Sequence, residues 1–206
     1  MPDLIWARGT ELLGKDPSFG ALVAEVGPVE DTRPPSTHFE TLARSIVFQQ
    51  LAGGAARTIH GRFVEAVGGT VSAGSVLAAD EDDLRAAGLS RNKLRALRDL
   101  AVKVADGSVP LEALDDLPDE DVVHRLTTVW GIGRWTAEMY LMFHLLRPDV
   151  WPVGDLGVRK GWARIHGLAE PPTAADLQAA GDRYRPWRST VAWYCYRAVE
   201  VLPAVG

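Results

Sequence analysis

LTTVWGIGRWTAEMYLMFHLLRPDVWPVGDLGVRK, residues 126–160, decides how this chain is read. Gly131-Ile132-Gly133 sits between two helical patterns, and its glycines permit a tight turn that bulkier residues would obstruct. A second helix is predicted to start right behind the turn, near Arg134, with its free N–H groups aimed outward. Such a helix start is a ready phosphate site. Asp155 follows about twenty residues on, after the approach Pro152-Val153-Gly154. A lone Gly-Ile-Gly would say little. With Thr136-Ala137 behind it and an acid at that distance, the string becomes specific.

Helical spacing recurs on both sides of this stretch and strand-like alternation is almost absent. Phe39, Leu42 and Ile46 fall at helical intervals, as do Ala55, Ile59 and Phe63, and Leu94, Leu97, Ala101 and Val104. Val122, Val123 and Leu126 precede the glycine turn, and Ala137, Tyr140, Leu141 and Leu145 follow it. Thr173 with Asp176 three residues later reads as a capped helix start. Pro34-Pro35, Gly68-Gly69, Gly88, Pro110 and Pro171-Pro172 punctuate the pattern. The reading is an all-α chain of about ten short helices, with residues 1–34 the least regular.

The chain's 206 residues suffice for one domain or two small lobes around a core, and 47% hydrophobic with 24% charged content is ordinary for a globular protein. Cys195 is the only cysteine, which excludes a disulfide framework and a four-thiolate iron–sulfur cluster. The five histidines show no metal-ligand spacing. No signal-peptide core and no apolar run of membrane-spanning length occurs, so a cytoplasmic protein without a membrane partner is expected. The net charge of −5 runs against nucleic-acid binding. The charges are clustered, however. Acids gather at Asp80–Asp83 and Asp115–Asp121, and bases at Arg85–Arg98 and at Arg134, Arg159, Lys160 and Arg164, so a local field can differ from the total.

The residues resemble a family. Leu126–Lys160 is similar to the helix-hairpin-helix, Gly/Pro-rich loop and catalytic Asp of the base-excision DNA glycosylases, nearest the 3-methyladenine DNA glycosylase II branch. Ile46-Val47-Phe48-Gln49-Gln50, Gly88-Leu89-Ser90-Arg91-Asn92-Lys93 and Arg185-Pro186-Trp187-Arg188-Ser189 agree with that branch, so the likeness runs over about residues 39–200. It implies a two-lobed all-α fold with the active site in the cleft between lobes. One lobe would take about 35–130, the other about 1–34 plus 131–206, with the hairpin at about 119–146. It also implies a monomer acting on double-stranded DNA that holds a damaged base, nucleoid-associated in a bacterium.

Site roles follow from the same resemblance. Asp155 matches the catalytic carboxylate, which stabilises positive charge on deoxyribose as the base leaves and orients or deprotonates water. From spacing alone it is more simply a helix cap. Trp135 stands where bifunctional relatives carry the lysine that attacks C1′, so hydrolysis by water is implied, with no strand cleavage. Trp135, Tyr196 and Trp193 are the candidates for the base pocket. Electron-rich rings attract cationic alkylpurines, by roughly 0.5–2 kcal/mol per contact. Without the resemblance, an aromatic stripe at helical spacing reads as core. Gln50 or Leu51, with Gln49 beside them, would fill the duplex when a base flips out. Read from the residues alone, the two glutamines cap a helix. Gly131, Gly133, Arg134, Thr136, Lys93 and Lys160 are expected on the DNA backbone. A Na⁺ or K⁺ on hairpin carbonyls near Gly131 is implied as the only cofactor. The expected activity is excision of alkylated purines of the 3-methyladenine or 7-methylguanine type. The alternatives are a glycosylase of this fold for another damaged or mismatched base, a non-catalytic damaged-DNA-binding module, or a helical interaction domain.

Overall fold

The computed structural model describes residues 5–29 and 34–203, and they hold twelve α-helices and no strand. In chain order these are α1 (Ile5–Gly14), α2 (Gly20–Val26), α3 (His38–Phe48), α4 (Gly53–Ala66), α5 (Ala73–Ala78), α6 (Glu81–Ala86), α7 (Arg91–Ala105), α8 (Asp119–Thr127), α9 (Arg134–Phe143), α10 (Leu156–His166), α11 (Ala174–Gly181) and α12 (Arg188–Val201). The helices beyond the expected ten include α1 and α2, in the segment whose sequence is least regular; α2 is seven residues long and has no side-chain cap. The predicted start at Thr173 is present: its hydroxyl oxygen accepts from the Asp176 N–H at 3.2 Å.

The described residues fall into two compact units, one made of 5–29 with 141–203 and the other of 34–140. The expected boundary lay near 130; the observed one lies inside α9, so the whole hairpin turn belongs to 34–140. The reason is packing, because α7 of that unit clamps the turn, as described below.

Within 34–140, α7 packs on α3, α5 and α6. Its sequence dictates this: Leu94, Leu97, Leu100 and Ala101 recur at helical spacing and are buried, while Ser90 caps the first turn by accepting from Lys93 N–H at 3.3 Å. Leu42, Ile46, Phe63, Leu84 and Leu114 fill the same core without exposure. α3 is started by a reciprocal capping box between Thr37 and Glu40.

In the other unit the tightest pairing joins α10 and α12. The helices meet at Gly161, where an added Cβ would lie 1.9 Å from the Cys195 carbonyl oxygen and 2.6 Å from its Cα. Only glycine permits that approach. Around the pair, Phe19, Trp162, Tyr184 and His166 form an aromatic cluster whose rings meet edge-on, except that His166 lies tilted over Trp162 at 4.2 Å. Arg188 donates twice to the Asp149 carboxylate, at 2.7 and 2.9 Å, and so ties the start of α12 to the loop before α10.

Candidate nucleic-acid interface and active site

The turn between α8 and α9 is built against one face of α7. Gly131 sits at φ +84, in the left-handed region, and a Cβ there would come within 3.0 Å of the Ala96 methyl carbon. Next to Ala96, the Asp99 carboxylate accepts the Trp130 backbone N–H at 2.7 Å and the Lys103 ammonium at 2.8 Å. The same ammonium donates to the Thr128 carbonyl at 2.5 Å. The Arg95 guanidinium stands 4.4 Å from the centre of the Trp130 ring. Arg95, Asp99 and Lys103 are four residues apart in succession, hence one stripe of the helix. That spacing was visible in the sequence; what it faced was not.

Burial pushes the Asp99 carboxyl up, but the Lys103 ammonium, the Trp130 N–H and Arg95 outweigh it and hold the group below its ordinary 3.8. A depressed carboxyl stabilises the fold above its unfolded value, and that contribution is lost as pH falls through the lower folded value. Asp99→Asn should therefore cost about 1 kcal/mol near neutral pH and progressively less in acid. Thermal melts of both proteins between about pH 7 and pH 3 check this; a gap that stays constant with pH would remove the charge from the account.

Beside the turn lies a cavity of about 500 Å³ inside the 34–140 unit, lined by Phe48, Gln49, Gln50, Gly131, Trp135 and Met139 among others. Trp135 leaves 51% of its surface exposed, so it is not a core residue. Thr136 is buried. Met139 and Phe48 were missed by sequence reading; Met139 follows Trp135 at helical spacing, which could have found it. At the rim, α3 ends and Gln50 takes φ +57, an uncommon conformation for a non-glycine residue that costs about 1 kcal/mol or more. Gln50 is exposed and Leu51 half-buried. Gln49 turns the other way: its side-chain amide donates to the Gly131 carbonyl at 3.0 Å and reaches Thr136 Oγ1 at 3.5 Å.

Two expected phosphate partners are engaged elsewhere. Arg134 meets the Glu120 carboxylate at 2.6 and 3.1 Å and Glu138 at 3.3 Å, because acids fill the first turn of α8 and the next turn of α9. Lys93 donates to the Val47 carbonyl at 2.7 Å, where the last turn of α3 leaves acceptors unsatisfied, and burial lowers its pKa. Lys160 is exposed on α10. Gly133 has open space where a Cβ would stand.

The candidate carboxylate belongs to the other unit. Asp155 is 8% exposed and precedes α10, and each of its two oxygens has a partner. Oδ1 accepts the Val158 N–H at 2.9 Å and so caps the helix. Oδ2 accepts the Tyr196 hydroxyl at 3.0 Å. Tyr196 reaches it from α12, held there by the close α10–α12 packing, and Phe143 stands 6.3 Å from its ring centre. Tyr196, expected as a pocket ring, is bonded to the carboxylate through its hydroxyl. Trp193 packs edge-on against Tyr194 at 4.9 Å, with Arg197 over its face, and Tyr194 is core. Between Tyr194 and Tyr196, Cys195 is fully buried, and burial followed by the nearby Asp155 charge pushes its thiol far up. Among the described residues no cluster of three or more His, Cys, Asp or Glu could hold a metal ion, and no helix is long and apolar enough to cross a membrane.

A glycine turn between two helices is a helix-hairpin-helix arrangement, and a buried carboxylate caps a later helix of the chain. The profile of the HhH-GPD superfamily of base excision DNA repair proteins matches residues 43–186, and the chain belongs to this superfamily. It is 34% identical over 195 residues to DNA-3-methyladenine glycosylase 1 of Schizosaccharomyces pombe, covering 92% of this chain and 86% of that protein. Among solved structures, the S. pombe 3-methyladenine DNA glycosylase in complex with abasic DNA superposes with a TM-score of 0.83 at 32% identity, over 94% of this chain and 97% of that one. A DNA-3-methyladenine glycosidase from Bacillus halodurans gives 0.79 at 30% identity, over 91% of each chain.

Proposed function

We propose that this protein is a monofunctional DNA glycosylase that hydrolyses the N-glycosidic bond of alkylated purines in double-stranded DNA. One observation carries the chemistry: Asp155 is buried and oriented through both oxygens, by Val158 N–H and by the Tyr196 hydroxyl. Donors on both oxygens fix the direction of the carboxylate. In the reaction the C1′–N bond breaks, the base leaves with the bonding pair, and water adds at C1′ and gives up a proton. Asp155 stabilises the positive sugar and receives or directs that proton.

The 34–140 unit supplies most of the recognition in this reading. Backbone N–H groups from Gly133 into the first turn of α9 take a phosphate without reading sequence. Exposed Lys160 adds charge from α10. Carbonyls near Gly131 are hard oxygen donors of the kind Na⁺ or K⁺ accepts; a monovalent ion there would add positive charge toward the phosphate. Trp135 offers a ring face to a cationic base such as 3-methyladenine or 7-methylguanine, and neutral bases gain less from it. Gln50 and Leu51 fill the vacated stack, and the left-handed backbone of Gln50 supports that role, since such conformations persist where function holds them. A cytoplasmic, DNA-associated place goes with this reading.

The test is release of free base from a methylated duplex, with the product identified. 7-Methylguanine and 3-methyladenine should appear. Release of only uracil, hypoxanthine or mismatched adenine would replace the substrate class, and no release would leave a binding module.

Trp135 also bears on the form of the product. An indole forms no Schiff base, so borohydride should trap no enzyme–DNA adduct and the product strand should stay whole at an abasic site. The assay is a borohydride trap on a damaged duplex beside a gel run without alkali or heat. A trapped band, or cleavage without alkali, would mean that an amine of the protein attacks C1′.

A further inference from the structure

We propose that Gln49 is a positioning residue that braces the duplex-plugging loop against the phosphate-gripping hairpin. The proposal rests on the glycosylase reading above. The Gly131 carbonyl can only accept, so the part of Gln49 that meets it at 3.0 Å is the amide NH₂. Its contact with Thr136 extends the link from the turn to the first turn of α9. Gln49 immediately precedes Gln50, so the brace is attached at the base of the loop's left-handed bend.

The loop is tied from behind as well. Lys93 of α7 holds the Val47 carbonyl at 2.7 Å, and α7 holds the turn through Asp99 and Lys103. The end of α3, α7 and the hairpin thus form a closed circuit of hydrogen bonds, and Gln49 closes it. The mechanical need is plain. Opening a base pair costs a few kcal/mol, and a plug delivers that force only if its own backbone does not recoil. To enter the duplex itself, this side chain would have to give up its bond to Gly131. Gln49 is the brace, and Gln50 or Leu51 is the plug.

Gln49→Met keeps the length and removes the donors; Gln49→Ala removes both. In the free protein, amide hydrogen exchange should rise together in residues 49–52 and 130–134, by about tenfold, the scale of one hydrogen bond. Affinity for undamaged duplex should stay within about twofold, because the phosphate contacts remain. Single-turnover release of 7-methylguanine from a base pair should fall about tenfold, while release from an unpaired site in a bulge should fall far less, because that base is already out of the stack. Faster exchange in one segment only, or equal loss at paired and unpaired sites, overturns the brace. If the parent protein releases no alkylated base, the glycosylase reading fails, and exchange in the two segments still decides whether Gln49 couples them.

Discussion

Asp155→Asn should slow base release at least about a hundredfold, the scale of removing one preorganised charge from a developing cation. The substitution is nearly isosteric. Its amide oxygen can still accept the Val158 N–H, so the start of α10 should stay capped and the melting temperature close to the parent's. Duplex affinity should also survive, since the hairpin lies in the other unit and binds phosphate through backbone groups. Single-turnover base release, measured beside duplex binding and a thermal melt, separates these effects. Near-parental turnover would remove Asp155 from the chemistry, and loss of fold would reduce it to a cap.

The largest loss of stability is expected at Gly161. In Gly161→Ala the new methyl carbon would stand 1.9 Å from the Cys195 carbonyl oxygen, with backbone atoms on both sides and no side chain free to swing away. Relief requires α10 and α12 to move apart, which opens the packing that also places Tyr196 on Asp155. The cost should be at least about 3 kcal/mol, or a melting temperature lower by roughly 10 °C for a chain of this size. Thermal denaturation measures it. A melting point within a few degrees of the parent's would show that the two helices are not in backbone contact in solution.

Local features of this molecule were legible in the sequence. The Gly131 turn, the helix start at Thr173 and the cap at Asp155 each depend on a few neighbouring residues with strong conformational preferences. What was hidden depends on partners far along the chain. Asp99 and Lys103 are ordinary surface charges by pattern, and only the fold sets them under Trp130. Tyr196 could be placed by its helix but not by its hydroxyl, which finds Asp155 across 41 positions of sequence. Gly161 carries no local turn signal, since its role is to be absent where another helix passes. Arg134 and Lys93 were assigned to phosphate because cations near a hairpin suggest it, whereas nearby acids and unsatisfied helix carbonyls compete for the same groups.

The burial of Cys195 has a chemical consequence. Soft electrophiles react fastest with thiolates, and this sulfur is kept out of water and protonated by its surroundings. The methyl donors that would create alkylated purines are such electrophiles. In the folded protein such reagents meet this chain's single thiol buried and held in its less reactive, protonated form.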